Sequence, residues 1–410
     1  MKILHINASD IGSTGKIVQD ISQQATIRGW ESVSLFPRRH RAQNPDIKEF
    51  SIAYPWEQGV YRKICAVYGL RYGCAPLSTS RALRIIRREK PDVVHLHSVN
   101  CYCVNIYRLL KCLRKKGIAT VVTNHAEFFY TGNCPHAMDC EKWKTGCGNC
   151  PDVFMATDSR LFDRTHTAWQ KMRKAFQTHP NIWITSVSPW VHNRSLQSPI
   201  LANLRQSIVL NGVNSDIFTH GDMHTARKEL DILPEEKVIL HVTANFSDLP
   251  TDGKGGRYVL ELARRLQKSN VKFLVAGKYD VKGQVPDNVT LLGEIRDQEK
   301  LADYYRAANL VVLTSKRETF GMAVAEALSC GTPVVGFESG GSESIAMKEY
   351  SQFVPFGAID ALENAAKKKW LDFKTETVSV KIAQEAREIY AAENMAASYC
   401  DVYEKMVKGD

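Results

Sequence analysis

Short runs of apolar residues alternate along the chain with longer stretches in which apolar residues recur every three or four positions. The short runs are typical of buried strands and the longer stretches of amphipathic helices. Their regular alternation predicts α/β architecture with parallel sheets. The predicted strands cover residues 2–6, 32–36, 92–97, 119–123, 183–187, 238–243, 272–276, 289–292, 310–313 and 333–336. The predicted helices cover residues 16–28, 78–90, 105–116, 256–268, 298–307, 321–329, 359–370 and 381–408.

The predicted elements fall into two series, which indicate two domains. A chain of 410 residues is long for a single hydrophobic core. The boundary is expected between residues 187 and 232, where Asn211-Gly212 gives a turn signal. We assign residues 1–190 to one domain and residues 200–389 to the other. Because ligands of such sheets bind beyond the carboxyl ends of the strands, polar residues that follow strands in both domains are expected to converge on one cleft.

Composition and charge restrict the location of the protein and the kind of partner that it binds. The chain is 44% hydrophobic and 24% charged, and it has no run of about 18 apolar residues, so no transmembrane helix is expected. Its first residues lack the apolar core of a signal peptide, so a cytoplasmic location is predicted. Residues 1–190 hold 27 Lys and Arg against 14 Asp and Glu, whereas residues 191–410 hold 27 against 30. The basic first half predicts an anionic partner: nucleic acid, an anionic membrane surface or a phosphorylated acceptor.

Two glutamates flank a Phe-Gly turn between the strand at 310–313 and the helix at 321–329. Glu318 precedes the helix, and Glu326 lies about a turn and a half into it. Gly321 lets the backbone approach a ligand, and the free N–H groups of the first turn suit a phosphate. Ionised carboxylates accept hydrogen bonds from sugar hydroxyls. The segment therefore favours a sugar-nucleotide site, although a strand–turn–helix unit with two solvated glutamates has the same spacing.

Three other segments that carry candidate chemistry also follow predicted strands. Lys254 lies among glycines at the start of a helix, where its charge suits a diphosphate; a flexible loop is the alternative. Gly12 and Gly15 form a turn that lets a phosphate or hydroxyl approach the backbone. An ordinary βα turn is the alternative there, because the spacing matches no dinucleotide or ATP motif. His125 follows the strand at 119–123, where we expect either a contact with substrate or a purely structural role.

Four cysteines lie within 17 residues in the pattern C-x5-C-x6-C-x2-C. They are Cys134, Cys140, Cys147 and Cys150, and four thiolates can close a tetrahedral structural zinc site. Disulfides are disfavoured in a cytoplasmic chain, so zinc is the leading interpretation, with disulfides or free buried thiols as the alternatives. The other seven cysteines lack metal spacing, and most of them are expected to be small buried apolar residues.

These motifs together resemble the retaining, GT-B-fold glycosyltransferases of family 4. The resemblance covers nearly the whole chain and rests on Glu318-x-Phe320-Gly321 with Glu326, Asn211-Gly212-Val213, Lys254-Gly255, Ser188-x-Trp190 and Gly340-Gly341-x-Glu343. The segment from Thr123 through the four cysteines resembles a subgroup that makes bacterial surface polysaccharides. The resemblance implies two Rossmann-like domains facing across a cleft. Residues 1–190 would form the acceptor side and residues 200–389 would bind the nucleotide sugar, with a last helix at about 390–410 packing back on the first domain.

The resemblance also implies a role for each matching residue. The catalytic residues would be His125 near the donor sugar, Glu318 on its hydroxyls and Lys254 on the diphosphate. Donor binding would involve Gly12, Gly15, Asn245, Arg317, Phe320, Gly321, Met322 and Glu326. Many relatives carry an arginine shortly before the lysine, where this chain has Ala-Asn-Phe at 244–246. Asn245 adds no charge there, so Arg317 is the preferred substitute, with Lys278 or Lys254 alone as the alternatives.

The expected reaction moves a hexose from a UDP- or GDP-linked sugar to a lipid-linked or oligosaccharide acceptor. We expect a cytoplasmic protein, or one peripheral on the inner face of the cell membrane, with structural zinc and no catalytic metal. A nucleotide-sugar epimerase on the same scaffold is the enzymatic alternative. A zinc-containing nucleic-acid-binding protein is the alternative from another class. No nucleic-acid partner is expected, because aromatic residues are not interleaved with the basic runs and the paired glutamates would repel a phosphate backbone.

Overall fold

The computed structural model describes residues 1–40 and 47–409, and the chain divides into two compact units. Unit 1 comprises Met1–Val209 together with the chain from Met395 onward, and unit 2 comprises Leu210–Asn394. Each unit is built around one parallel sheet, with helices between most of the successive strands. The predicted α/β architecture is therefore confirmed.

The sheet of unit 1 has seven parallel strands. They are β1 (Lys2–Ile6), β2 (Glu31–Phe36), β3 (Lys48–Ser51), β4 (Val93–Leu96), β5 (Ala119–Asn124), β6 (Ile182–Ser186) and β7 (Arg205–Ile208). Their order across the sheet is β3-β2-β1-β4-β5-β6-β7. Every neighbouring pair is parallel, so each strand must return through a crossover, usually a helix, before the next begins.

The sheet of unit 2 has six parallel strands. They are β8 (Lys237–Ser247), β9 (Val271–Asp280), β10 (Val289–Gly293), β11 (Leu310–Leu313), β12 (Val334–Phe337) and β13 (Ser351–Val354). Their order is β10-β9-β8-β11-β12-β13. The strand order reverses at β8, as in other doubly wound sheets, and ligands of such sheets bind beyond the carboxyl ends of the strands at this point.

The helices connect the strands. They are α1 (Gly12–Ile27), α2 (Glu57–Tyr68), α3 (Pro76–Glu89), α4 (Ile106–Lys115), α5 (Phe128–Thr131), α6 (Val153–Thr157), α7 (Thr165–Gln177), α8 (Pro189–Leu196), α9 (Met223–Glu229), α10 (Gly256–Leu266), α11 (Gln298–Ala307), α12 (Met322–Ser329), α13 (Gly341–Ile345), α14 (Ile359–Ala365), α15 (Glu376–Tyr390) and α16 (Ala392–Lys408). Single turns of 3-10 helix cover Arg71–Gly73, Lys142–Lys144 and Gln267–Ser269, and a π-helical turn, Ala366–Trp370, follows α14.

Each unit has its own apolar core. In unit 1, Ile3 and Trp183 of the sheet pack with Met395, Tyr399 and Tyr403 of α16. In unit 2, the apolar faces of α10 and α14 pack with β8, β9, β11 and β12. No helix in the described part of the chain combines the length and the apolar character that a membrane span needs.

The sequence prediction is wrong in several details. It omits β3, β7 and β13, it ends β8 at residue 243, and it starts α1 at residue 16 rather than at Gly12. It also draws residues 381–408 as one helix, whereas the structure has α15 and α16. The interruption lies at Ala391, whose backbone is extended (ψ 134°) and bridges Val213. The amide N of Val213 donates to the carbonyl of Tyr390 at 2.8 Å, so pairing with a distant segment breaks the helix.

Candidate functional site

The site in unit 2 begins with an ion pair between the two residues that the sequence singles out most strongly. Nζ of Lys254 donates to Oε1 of Glu318 at 2.7 Å, and both side chains are partly open to solvent. Lys254 lies in the loop between β8 and α10, and Glu318 lies in the loop between β11 and α12. The two loops are joined by backbone, since the amide of Lys316 donates to the carbonyl of Gly253 at 2.8 Å. The pair is therefore placed by neighbouring loops at one edge of the sheet.

Glycines allow close backbone packing in both of these loops. Gly255 is the N-cap of α10 and has a φ of +73°, and an added Cβ would lie 2.2 Å from the carbonyl oxygen of Thr314. Gly321 is the N-cap of α12 and has a φ of +90°, and an added Cβ would lie 2.5 Å from Oγ of Ser342. Two helix N-termini, each with unpaired N–H groups and positive partial charge, thus flank the Lys254–Glu318 pair.

The remaining unit 2 candidates lie around the start of α12. Glu326 is on this helix, and its Oε2 accepts a hydrogen bond from the hydroxyl of Tyr305 at 2.8 Å. Burial, and then the neighbouring Glu326 carboxylate, hold the pKa of Tyr305 well above its usual range, so the phenol stays a donor. Phe320 is buried, whereas Arg317 and Met322 are half-buried.

Asn245 occupies a different position from the one that the sequence suggests. It lies on β8 rather than in a loop, because β8 continues to Ser247 and pairs there with β9, Asn245 opposite Lys278. Asn245 and Lys278 line a cavity of about 310 Å³, together with Gly277, Glu294 and Ile295. The cavity lies beside the second halves of β8 and β9 and just beyond the carboxyl end of β10. Nζ of Lys278 lies 3.6 Å from Oε1 of Glu294.

A buried histidine in unit 2 was missed in the sequence. His241 lies on β8, and its Nδ1 donates to the carbonyl of Val312 at 2.9 Å. Burial lowers its pKa to about 4, so the ring is neutral at physiological pH and Nε2 carries no proton. That nitrogen is buried and has no hydrogen-bond partner among the described residues. A single polar residue within an apolar strand is the signal that could have identified it.

His125 in unit 1 belongs to a chain of buried histidines. Nδ1 of His5 lies 3.1 Å from Nε2 of His97, and Nδ1 of His97 lies 3.2 Å from Nε2 of His125. Burial lowers the pKa of His5 and of His125 to about 3, and the pKa of His97 well below its usual range. Each neutral ring carries one N–H, so the three tautomers are coupled. His125 therefore acts as a neutral hydrogen-bonding group rather than as a cation.

His95 of β4 lies beside this chain, two residues before His97, which directly follows the strand. Its Nδ1 is 2.6 Å from the hydroxyl of Tyr403, and its Nε2 is 2.7 Å from Oγ1 of Thr123. The ring nitrogens of His5, His95 and His97 lie within 4.8 Å of one another, close enough for a metal ion. Both nitrogens of His95 and of His97 already have hydrogen-bond partners, so the structure favours a hydrogen-bonded network there.

Gly12 and Gly15 form the first turn of α1 rather than a separate turn before it. A Cβ on Gly15 would lie 2.6 Å from the carbonyl carbon of Asp10, so only glycine fits there, whereas a Cβ on Gly12 would meet nothing within 4 Å. Gly12 has a φ of +76°. Backbone close to the helix start is therefore left uncovered by side chains.

The four clustered cysteines line one small cavity, of about 20 Å³. Cys147 (φ +58°) lies between Gly146 and Gly148, both of which also have positive φ, so the chain turns tightly there. Burial, with the neighbouring thiols, raises the pKa of Cys147 to about 12 and that of Cys134 further. No three of the four sulfur atoms lie within 4.8 Å of one another.

Most of the other seven cysteines are buried, as expected. Two of them, Cys65 of α2 and Cys74, are joined as a disulfide, which the sequence did not predict. The two residues meet because the 3-10 turn Arg71–Gly73 reverses the chain, and both pack in a small cluster with Tyr61 and Tyr102.

Comparisons with known proteins agree with this geometry. The model of Glycosyltransferase Family 4 matches residues 15–216, and that of Glycosyl transferases group 1 matches residues 237–371. The Escherichia coli (strain K12) protein WcaC, which is named as a glycosyl transferase of colanic acid biosynthesis, is 24% identical over 330 residues, 78% of each chain.

Solved structures match the chain over its full length. Sucrose-phosphate synthase from Thermosynechococcus elongatus superposes with a TM-score of 0.72 at 17% identity, over 100% of each chain. The protein HepE of Anabaena, in complex with UDP-glucose, superposes with a TM-score of 0.62 at 14% identity, over 99% of this chain and 100% of the other. At these identities the matches establish the fold alone, which is GT-B.

Proposed function

This chain belongs to the glycosyltransferases, with a Glycosyltransferase Family 4 match followed by a Glycosyl transferases group 1 match, and from that premise we propose that it transfers a hexose from a UDP- or GDP-linked sugar with retention of configuration. The observation that carries the proposal is the Lys254–Glu318 pair between the N-termini of α10 and α12. A diphosphate is anionic, and a lysine with two helix N-termini supplies the opposite charge. A sugar presents hydroxyl groups, for which the Glu318 carboxylate is an acceptor.

Each side chain has a defined part in this proposal. Lys254 exchanges its contact with Glu318 for the donor diphosphate, which frees Glu318 to accept from the sugar hydroxyls. The backbone N–H groups of Phe320–Met322, at the start of α12, donate to the phosphate. Glu326 accepts from the ribose hydroxyls while Tyr305 holds its carboxylate in place. Arg317, which immediately precedes Glu318, is the second cation that we propose for the diphosphate.

The reaction itself breaks one bond and forms another. The bond between the anomeric carbon and the diphosphate oxygen breaks, and the acceptor oxygen bonds to the same face of that carbon. The acceptor proton passes to the departing diphosphate oxygen, so atoms and charge balance without an added base. Lys254, Arg317 and the two helix N-termini stabilise the charge that develops on the leaving group, and no metal is required at this centre. Neutral His125 hydrogen-bonds the donor sugar near the reacting carbon.

The acceptor side of the proposal rests on charge and on the relative WcaC. Residues 1–190 carry 27 Lys and Arg against 14 Asp and Glu, which suits an acceptor that carries phosphate. The colanic acid named for WcaC is a polysaccharide, and we propose that this chain likewise extends a lipid-linked or oligosaccharide acceptor in surface polysaccharide synthesis. Its location would be cytoplasmic or peripheral at the inner face of the cell membrane.

We also propose a structural zinc ion held by Cys134, Cys140, Cys147 and Cys150. The four thiols line one cavity and sit on a tight glycine-rich turn, and soft thiolates are the ligands that such a zinc prefers. Binding would draw the four sulfur atoms together and remove their protons. The ion would hold the segment 134–150 beside α5 and take no part in the transfer.

The test is transfer with purified protein, a series of nucleotide sugars and a lipid-linked acceptor. Release of nucleoside diphosphate measures turnover, and NMR of the product reports the anomeric configuration. Glu318→Ala is expected to lower turnover by orders of magnitude with an unchanged fold by circular dichroism, whereas Glu235→Ala, at an exposed glutamate of the same unit, leaves it unchanged. Full turnover in Glu318→Ala sinks the proposal. Conversion of the donor sugar with no transfer to any acceptor indicates the epimerase.

A further inference from the structure

Three histidines of unit 1 lie in a row across neighbouring strands, close to the carboxyl ends of those strands. His5 is on β1, His97 directly follows β4, and His125 directly follows β5; the three strands are adjacent in the sheet. Nδ1 of His5 lies 3.1 Å from Nε2 of His97, and Nδ1 of His97 lies 3.2 Å from Nε2 of His125. Both separations are within hydrogen-bond reach. We call these three residues the histidine row, of which the proposed transfer uses His125 alone.

The two hydrogen bonds of the histidine row must run in the same direction. Burial lowers the pKa of each ring far below physiological pH, so all three rings are neutral. A neutral imidazole has one N–H donor and one acceptor nitrogen. His97 in the middle therefore donates to one neighbour and accepts from the other. Only two arrangements satisfy both contacts: the proton is on Nδ1 of all three rings, or it is on Nε2 of all three.

The His5 end of the row selects between the two arrangements. Nε2 of His5 is buried and has no hydrogen-bond partner among the residues that the structure describes. Protons on Nε2 would leave a buried N–H donor without an acceptor at this end, whereas protons on Nδ1 leave only an unpaired acceptor. Buried N–H groups without a partner are rarer in proteins than unpaired acceptors. The Nδ1 arrangement is therefore favoured, and it makes Nδ1 of His125 a donor.

We infer that His97 is a positioning residue, whose Nδ1–H holds Nε2 of His125 so that Nδ1–H of His125 donates to an oxygen of the donor sugar. The inference rests on the proposed function and deepens it, because it names the residue that orients His125 and the direction of the hydrogen bond to the sugar. His97 is fully buried, so water does not compete for its contact with His125, which is 9% exposed.

A neutral donor suits the chemistry at this place. The transition state of glycosyl transfer carries positive charge on the sugar, as in glycoside hydrolysis, and a cationic imidazolium beside it would raise the barrier. A neutral N–H group fixes a sugar oxygen without adding that charge. Fixing the sugar with a ring that is itself held in place also reduces the freedom that the reaction must restrict.

The direct test is nuclear magnetic resonance of the full chain with 15N-labelled histidine at neutral pH, which shows the ring nitrogen that carries the proton. The signals are assigned from variants of single histidines. We expect the proton on Nδ1 of His5, His97 and His125. Protons on Nε2 of these rings would overturn the inference. The measurement needs no substrate, and the wild-type spectrum decides the direction even if a variant does not fold.

Variants of His97 test its action on transfer, measured with the donor that supports turnover in wild type. His97→Leu removes the N–H donor and should lower kcat about tenfold, the size of one hydrogen bond. His97→Asn keeps an amide N–H that can donate to His125 and should restore most of kcat. Because His97 acts through His125, His97→Leu/His125→Ala should lose no more than His125→Ala alone.

The matched control is His179→Leu, which replaces a buried histidine of unit 1 that lies outside the row and contacts Thr120. It should match wild type in kcat. Unchanged kcat in His97→Leu, additive losses in the double variant or an equal loss in His179→Leu would overturn the inference. Protons on Nε2 with normal transfer refute the inference alone. Absence of transfer by wild type with any nucleotide sugar refutes the proposed function instead, while the spectrum still reports the direction of the row.

Discussion

Replacement of Gly255 by alanine tests whether the loop that carries Lys254 has the geometry described. Gly255 has a φ of +73°, and an added Cβ would lie 2.2 Å from the carbonyl oxygen of Thr314 and 3.0 Å from its carbonyl carbon. The oxygen belongs to backbone at the end of β11, so no side-chain rotation relieves the contact. Gly253, two residues earlier, provides the matched control, because its Cβ would meet nothing within 4 Å and its φ is not in the left-handed region.

The cost of Gly255→Ala has two parts. The left-handed backbone costs about 1–2 kcal/mol for a residue with a Cβ, and relief of the clash adds about 1–3 kcal/mol, as overpacking does elsewhere. Unit 2 has a size at which each kcal/mol lowers the unfolding midpoint by about 2–4 °C, so we expect a fall of about 4–20 °C. The loop must also move away from Thr314, which shifts Lys254 and weakens the binding of nucleotide.

Differential scanning calorimetry of wild type, Gly253→Ala and Gly255→Ala, each with and without a saturating nucleotide, measures both effects. Gly253→Ala is expected to match wild type in midpoint and in nucleotide response. If Gly255→Ala unfolds within a degree of the Gly253→Ala control and responds equally to nucleotide, the close approach of this loop to β11 is not as described.

Three further predictions address other parts of the molecule. Burial lowers the pKa of His5 and of His125 from about 6.5 to about 3. The stability that the neutral rings confer is therefore complete above pH 6.5 and is lost as the pH falls toward 3, by about 1.4 kcal/mol per pH unit for each histidine. A urea midpoint that stays constant between pH 6.5 and pH 3 contradicts this prediction. Tyr305→Phe removes the hydrogen bond to Glu326 and should weaken nucleotide binding by about tenfold, measured by isothermal titration; unchanged affinity contradicts this role. Cys147→Ser should lower the unfolding midpoint and the bound zinc while nucleotide affinity stays unchanged; reduced wild-type protein without stoichiometric zinc by elemental analysis contradicts the metal site.

Most of the fold was predictable from the sequence because its central strands are continuous runs of apolar residues. The run Leu310–Leu313 is apolar throughout and buried throughout, and such runs show in sequence whatever surrounds them. The missed strands β7 and β13 lie at sheet edges, where a strand has one neighbour and needs less apolar character. The sequence of β7, Arg-Gln-Ser-Ile, is half-exposed or exposed at every position, so no periodicity marks it.

The candidate site was predictable in its residue types but less so in its arrangement. Glu318 and Lys254 stood out because a carboxylate and a lysine followed apolar strands and preceded glycines. Their contact at 2.7 Å was not predictable, because it depends on how loops 64 residues apart in the chain meet. The placement of Asn245 was wrong for a related reason, since β8 continues only because β9 offers Lys278 as a partner there.

The buried histidines illustrate a limit of reading residues one at a time. His95 and His97 were visible as an alternating pair, but the network joins them to His5 of β1 and His125 after β5. Parallel pairing of β1 with β4 and of β4 with β5 creates this proximity. Sequence spacing carries no information about it, because strand order across the sheet differs from strand order along the chain.

The central claim is that unit 2 binds a nucleotide sugar through Lys254 and Glu318, and thermal unfolding with UDP, GDP, ADP and their sugar forms tests it most directly. One nucleotide should raise the midpoint clearly, because ligand at a hundredfold excess over Kd stabilises by about 2.7 kcal/mol. The shift should shrink in Lys254→Ala and persist in Lys268→Ala, which removes an exposed lysine from the same unit. No shift with any nucleotide, or an equal shift in Lys254→Ala, would contradict the account.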